Sequence, residues 1–136
     1  MAEGLTVLMR WLHIASVACM GGGMIYGWIV AGAAAALDPE ARASLGERTA
    51  AAFRPLVIVS IAALVISGAY NLLSNPGHTL RYDIVLIVKL LLVTHIFAVA
   101  VLATQPHHPR RARLLASGAI SSLIVIGIAV YLHRIF

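Results

Sequence analysis

The chain has 136 residues, 61% of them hydrophobic and 11% charged, and a mean hydropathy of +0.95. A soluble domain carries about 25% charged residues and its helices keep a polar face, so an aqueous globular protein and a soluble helical bundle are both excluded. The net charge of +5 does not point to nucleic acid, because the basic residues sit between apolar stretches, where they anchor a chain to anionic headgroups.

The apolar stretches set the architecture. No Asp, Glu, Lys or Arg occurs in 11–37, 55–80 or 114–133, and 84–109 holds only Lys89. Each stretch supplies the roughly 20 apolar residues needed to cross about 30 Å of hydrocarbon. The expected fold is all-α: one polytopic membrane domain over 1–136, a four-helix bundle embedded in the lipid bilayer.

In chain order, the first helix is expected over about 5–37. Ala33, Ala34 and Ala35 look like a signal-peptidase site, but the apolar run exceeds the 7–15 residues of an h-region and only Arg10 precedes it, so the segment is expected to be kept as a span. Asp38 and Pro39 have the chemistry of an N-cap and first helical position, with Ser44 and Glu47 at capping-box spacing, so 39–52 reads as a short surface helix or turn. Arg54 and Pro55 open the second span, over about 55–73. Ser74-Asn75-Pro76-Gly77 is a turn by composition. Asp83 is placed to cap the third span, over about 83–104, and Pro106 to Pro109 turn the chain into the fourth, over about 110–133. The single Cys19 cannot form an intrachain disulfide.

One end of the bundle carries Arg10, Arg81 and Arg134; the other carries Arg42, Arg48, Arg54, Arg110, Arg111 and Arg113. The positive-inside rule puts the richer end in the cytoplasm. The expectation is therefore a bacterial inner-membrane protein with both termini periplasmic.

Polar residues inside the spans are the functional candidates, since hydrocarbon makes them costly. Steps of 4, 3, 4, 4 and 3 place Met9, His13, Ser16, Met20, Met24 and Gly27 on one stripe of the first helix. Such a stripe can face a cofactor: imidazole ligates haem iron or copper, and thioethers give a soft wall or further copper ligands. It can equally be a packing face. Gly21, Gly22 and Gly23 permit close approach by a neighbour or a flat ring, with Gly23 and Gly27 a small-xxx-small pair.

His95 lies near the middle of the third span, too deep to reach the headgroups, and Lys89 lies nearer the end that bears the termini, where it can snorkel or, if it points inward, pair with a carboxylate or propionate or ligate after losing its proton. Six residues apart, the two project about 120° from each other. Pairing His13 with His95 on one haem requires the first helix to begin well before Trp11; His13 with Lys89 fits either start. His133 is a reserve ligand at the same end, His78 has no strong claim, and His107 and His108 lack accompanying ligands. Tyr26, Tyr70, Tyr82 and Asn71 are candidates to line a pocket or hydrogen-bond a quinone or propionate.

Trp11-Leu12-His13 followed by Gly21-Gly22-Gly23, Arg54 entering the second span, Ser67-Gly68, and Tyr82 through Val88 leading to Lys89-Leu90-Leu91 together resemble the superfamily that contains copper resistance D proteins and HemJ-type protoporphyrinogen oxidases. The resemblance implies a four-helix membrane bundle in which His13 and Lys89 are associated with a b-type haem. It also implies either oxidation of a porphyrinogen or copper uptake. The chain departs from HemJ-like proteins in a shorter first connection and in a helix-3 histidine closer to the lysine.

The sequence therefore leads to a haem b-binding membrane redox or electron-transfer protein with His13, Lys89 and His95 at the cofactor, His13 and His95 as iron ligands, and a quinol or porphyrin substrate as donor. Copper handling through His13, His95, Met20 and Met24, and a non-catalytic structural subunit, are the alternatives. No catalytic residue is assigned. The narrow interior of four short spans predicts a homodimer or other membrane subunits as partners.

Overall fold

The structure is a computed structural model and describes residues 2–74 and 79–135. Four long helices account for most of them: α1 (Ala2–Ala33), continued by a single 3-10 turn over Ala34–Ala36, α2 (Pro39–Leu73), α3 (Leu80–Ala103) and α4 (Arg111–Ile135). Each is long and apolar enough to cross a membrane, and together they form an all-α, four-span bundle. The expected Ser74–Gly77 turn and His78 fall largely on 75–78, outside the described residues.

Local chemistry accounts for the helix ends. Asp38 is the N-cap of α2, its Oδ1 accepting from the Ala41 amide at 2.9 Å, with Pro39 at the first helical position. α3 begins three residues earlier than expected because Thr79, not Asp83, is its N-cap; the Thr79 hydroxyl accepts from the Tyr82 amide at 3.3 Å. Asp83 lies in the first turn, where a carboxylate complements the helix dipole.

The expected surface helix and second span form one helix of 35 residues, about 52 Å long, and Pro55 lies inside it. Proline removes one backbone donor, from the Ala51 carbonyl. Ala51 is exposed and precedes the apolar stretch, so water and headgroups can serve that carbonyl and the helix runs through. Its first four and a half turns carry Glu40, Arg42, Glu47, Arg48 and Arg54, charges that hydrocarbon disfavours.

α1 packs on α2 and α4, and α3 packs mainly on α4; the α2–α3 seam is the slightest of the four. The core is made of Met20, Met24, Val57, Ile96, Ala100, Ala103, Leu115, Ala119 and Val125. Large apolar side chains such as Val7, Ile14, Ile29, Val59, Leu91 and Val130 point outward. Lipid is as apolar as leucine, so association of these helices rests on close packing of small residues rather than on hiding large ones.

The glycines of α1 divide between two neighbours. A β-carbon on Gly23 would lie 2.1 Å from the Phe53 ring of α2, while one on Gly27 would meet Leu115 of α4 at 3.2 Å. Gly21 faces Ser122 of α4, and Gly22 faces open space. The small-xxx-small pair is thus not one interface, and the flat ring received beside the glycines is Phe53.

At the end bearing the interhelical connections 37–38 and 104–110, two arginines finish helices. Arg42 donates from Nε to the Ala34 carbonyl (3.2 Å) and from Nη2 to those of Ala35 (2.7 Å) and Leu37 (3.1 Å). Arg111 donates from Nε to Ala103 (2.9 Å) and from Nη2 to Gln105 (2.8 Å), covering the carbonyls left over at the end of α3. Glu47 accepts from Arg111 and from the His107 amide, both at 2.9 Å, so α2 holds the α3–α4 turn. His107 has a φ of 54°, a left-handed conformation uncommon for a side-chain-bearing residue, and this contact holds it there.

Candidate functional site

Polar side chains from different helices meet inside the apolar part of the bundle on the α1–α2 seam, toward the termini, and on the α3–α4 seam, where His95 meets Ser117. Thr6 Oγ1 and Tyr70 Oη are 3.1 Å apart, and two turns deeper His13 Nδ1 lies 3.0 Å from Ser67 Oγ. Thr6 and His13 are seven residues apart and so share a face of α1. Gly68 leaves space beside the imidazole: a β-carbon there would touch His13 Cε1 at 3.7 Å.

The hydrogen bonds of Ser67 decide the state of His13. Ser67 is fully buried, and its hydroxyl donates to the Ala63 carbonyl four residues back at 2.6 Å. A hydroxyl has one proton, so toward His13 the oxygen can only accept. The imidazole therefore carries its proton on Nδ1 and leaves the Nε2 lone pair bare. Among the described residues nothing donates to Nε2. The Nδ1 bond fixes both the tautomer and the orientation of the ring.

Lys89 is another costly polar group, on α3. Its side chain is partly buried and within electrostatic range of His13. Among the described residues no carboxylate or other acceptor lies within bonding distance of its amine. From nine residues into α3 the amine can extend toward the headgroups at the termini end; turned inward it calls for an anionic group beside it, or for use of its lone pair as a ligand after losing a proton. His13 and Lys89 are thus two groups with complementary needs, one base and one donor.

His95 is not brought to His13. Its ring is exposed on the outside of α3, with Nε2 3.1 Å from Ser117 Oγ of α4, while the following Ile96 faces the core. α1 does begin at Ala2, the early start that a His13–His95 haem requires, so facing direction rather than depth separates the two histidines. His133 is exposed in the last turn of α4. His107 contributes its backbone amide to Glu47, and His108 Nδ1 accepts from the Arg110 amide at 3.2 Å.

Met20 and Met24 of the α1 stripe are core residues, 2% and 0% exposed. Met24 fits so tightly over Gly118 that a β-carbon there would lie 2.4 Å from its sulfur. Ser16 and Gly27 are buried on the same stripe, so its lower half packs while its upper half, at His13, is polar. Among the described residues no three His, Cys, Asp or Glu side chains gather closely enough to hold a metal ion between them.

A cavity of about 780 Å³ lies at the opposite end, lined by Gly27, Ala34, Arg42, Glu47, Arg111 and Leu115 among others. These charged groups are already engaged. Arg42 and Arg111 serve helix-end carbonyls, and Glu47 is held by Arg111. A site needs groups with unmet valence, and His13 Nε2 and the Lys89 amine keep theirs among the described residues.

Reasoning from sequence alone missed Ser67 as the residue that sets His13. The available signal was a small polar residue beside a glycine in an otherwise apolar span, the form taken by polar contacts between membrane helices. Comparison of the chain with protein-family models, with curated proteins and with solved structures finds no match, so its function is argued from its own residues.

Proposed function

We propose that the chain binds a haem b and works as a membrane redox or electron-transfer protein, with His13 ligating iron and a quinol or porphyrinogen as electron donor. One observation carries this reading: the Nε2 of His13, on a ring fixed by Ser67, is left without a partner among the described residues. The donor set fits the group, since imidazole is a common axial ligand and a lysine ammonium suits a propionate carboxylate. Haem iron, when bound, supplies one-electron chemistry. The rest is done by the chain: Ser67 holds the ring, Lys89 neutralises or ligates, and the apolar helices keep water out. The likeness of Trp11-Leu12-His13 and Lys89 to the copper resistance D and HemJ superfamily supports the same assignment. Copper handling and a purely structural role draw on no comparable group, because Met20 and Met24 are closed in the core.

The test is the visible absorption spectrum of protein purified from cells with ample haem. A Soret band is expected in the native protein and in His107→Ala and His95→Ala, and is expected to be lost in His13→Ala. Ser67→Ala should bind haem about 10–100-fold more weakly, the usual cost of losing a ligand's supporting hydrogen bond. Native protein without haem overturns the reading; loss of the band in His95→Ala assigns the second ligand to His95 instead.

We also place the chain in a bacterial inner membrane with both termini periplasmic. The support is the arginine distribution, with six at the connection end against three at the termini. A reporter active only in the periplasm, fused after Phe136, is expected to be active, and the same reporter inserted at 107–108 inactive.

A further inference from the structure

The structure assigns the His95 face of α3 to an interface between two copies of this chain. His95 lies about 22 Å from the start of α3 and about 12 Å from its end, well inside the hydrocarbon. It is exposed there, and an imidazole is too short to reach the headgroups as lysine and arginine do. Nε2 is paired with Ser117 Oγ, but Nδ1 has no partner among the described residues. The neighbouring Thr94 differs, because its hydroxyl donates to the Leu90 carbonyl at 2.9 Å. A ring nitrogen facing lipid without a partner is costly enough that the face is expected to be covered.

The covering group must offer a hydrogen-bonding atom at the same depth. A second copy related by a two-fold axis along the membrane normal does so by symmetry, since its own His95 then sits at an identical depth and faces back. The chemistry is self-complementary. The Ser117 hydroxyl can donate or accept, so either tautomer of His95 is satisfied on its inner side. One ring can then present Nδ1–H and the other a bare Nδ1, the partial positive charge of one against the lone pair of the other. Leu91, Ala98 and Leu102, at four before and three and seven after His95, are exposed on the same stripe. A single polar residue in an apolar seam of this spacing, with a small residue beside it, is the composition by which packed helices fix their register.

The test uses disulfide trapping in native membranes. In a Cys19→Ser background, Ala98→Cys is expected to give an oxidised dimer that reductant dissolves, and Ala62→Cys, exposed on α2, is expected to give none. Adding His95→Leu should reduce trapping at Ala98→Cys about fivefold or more, whereas His95→Gln, which keeps a donor and an acceptor, should retain it. Lack of trapping at Ala98→Cys, as when lipid or a different subunit covers the face, overturns the assignment. So does trapping that His95→Leu leaves unchanged. The haem spectrum plays no part in the readout, so this result and the cofactor reading stand or fall separately.

Discussion

Arg111→Ala is expected to lower the unfolding free energy by about 2–4 kcal/mol, read from SDS titration of the detergent-solubilised protein by circular dichroism. The side chain is only 16% exposed and serves three acceptors: the Ala103 and Gln105 carbonyls and Glu47. Alanine leaves the two carbonyls at the end of α3 without a donor and detaches Glu47 of α2 from the turn. Arg111→Lys should recover little, because a single ammonium cannot reproduce the fork that spans all three. Arg110→Ala and Arg113→Ala, at exposed neighbouring positions, are expected to change stability by less than about 0.5 kcal/mol.

The same contact gives a pH dependence. The Arg111 guanidinium, and next the His107 amide, hold the Glu47 carboxyl below the ordinary carboxylate range. A carboxyl depressed in the folded state contributes stability above its unfolded pKa, and that contribution is lost as pH falls through the lower, folded value. Glu47→Gln is therefore expected to be less stable than the native chain at neutral pH. The gap should close in acid, below the ordinary carboxylate pKa. A gap independent of pH would mean that shape rather than charge holds the turn.

How much of this was legible in the sequence follows from what each feature depends on. Span number rests on hydropathy alone, and four charge-poor stretches became four helices. The Asp38-Pro39 helix start is equally local, since capping needs only a carboxylate and a fixed φ. Pro55 misled because proline reads as a boundary in any sequence, whereas here its lost hydrogen bond falls where water can replace it. His13 and Lys89 were legible as costly polar groups in hydrocarbon. Which neighbour each meets was not, because that depends on helix rotation. His95 lies nearer mid-span than His13, yet α3 turns it toward Ser117 and away from the core. Arg42 and Arg111 counted as topology charges in the sequence; their second role as helix caps appears only when the turns fold back on them.

Close packing yields the second large effect, and here the shorter clash is the cheaper one. A β-carbon on Gly23 would come within 2.1 Å of the Phe53 ring, and one on Gly118 within 2.4 Å of the Met24 sulfur. Distance alone ranks Gly23→Ala as worse. Phe53, however, is half-exposed and borders an open groove of about 440 Å³ that also reaches Gly23, Tyr26 and Leu56, so its ring can swing aside. Met24 is 0% exposed, with Val99 of α3 also 3.3 Å from the new β-carbon, and has nowhere to go. Gly118→Ala is therefore expected to cost about 3 kcal/mol, at the upper end for overpacking, and Gly23→Ala about 1 kcal/mol or less. Shortening the obstructing side chain tests the cause: Met24→Ala combined with Gly118→Ala should be more stable than the sum of the two single losses implies, by about 1–2 kcal/mol. Additive losses in that cycle would show that Gly118 is required for backbone reasons within α4 and not for the seat it gives Met24.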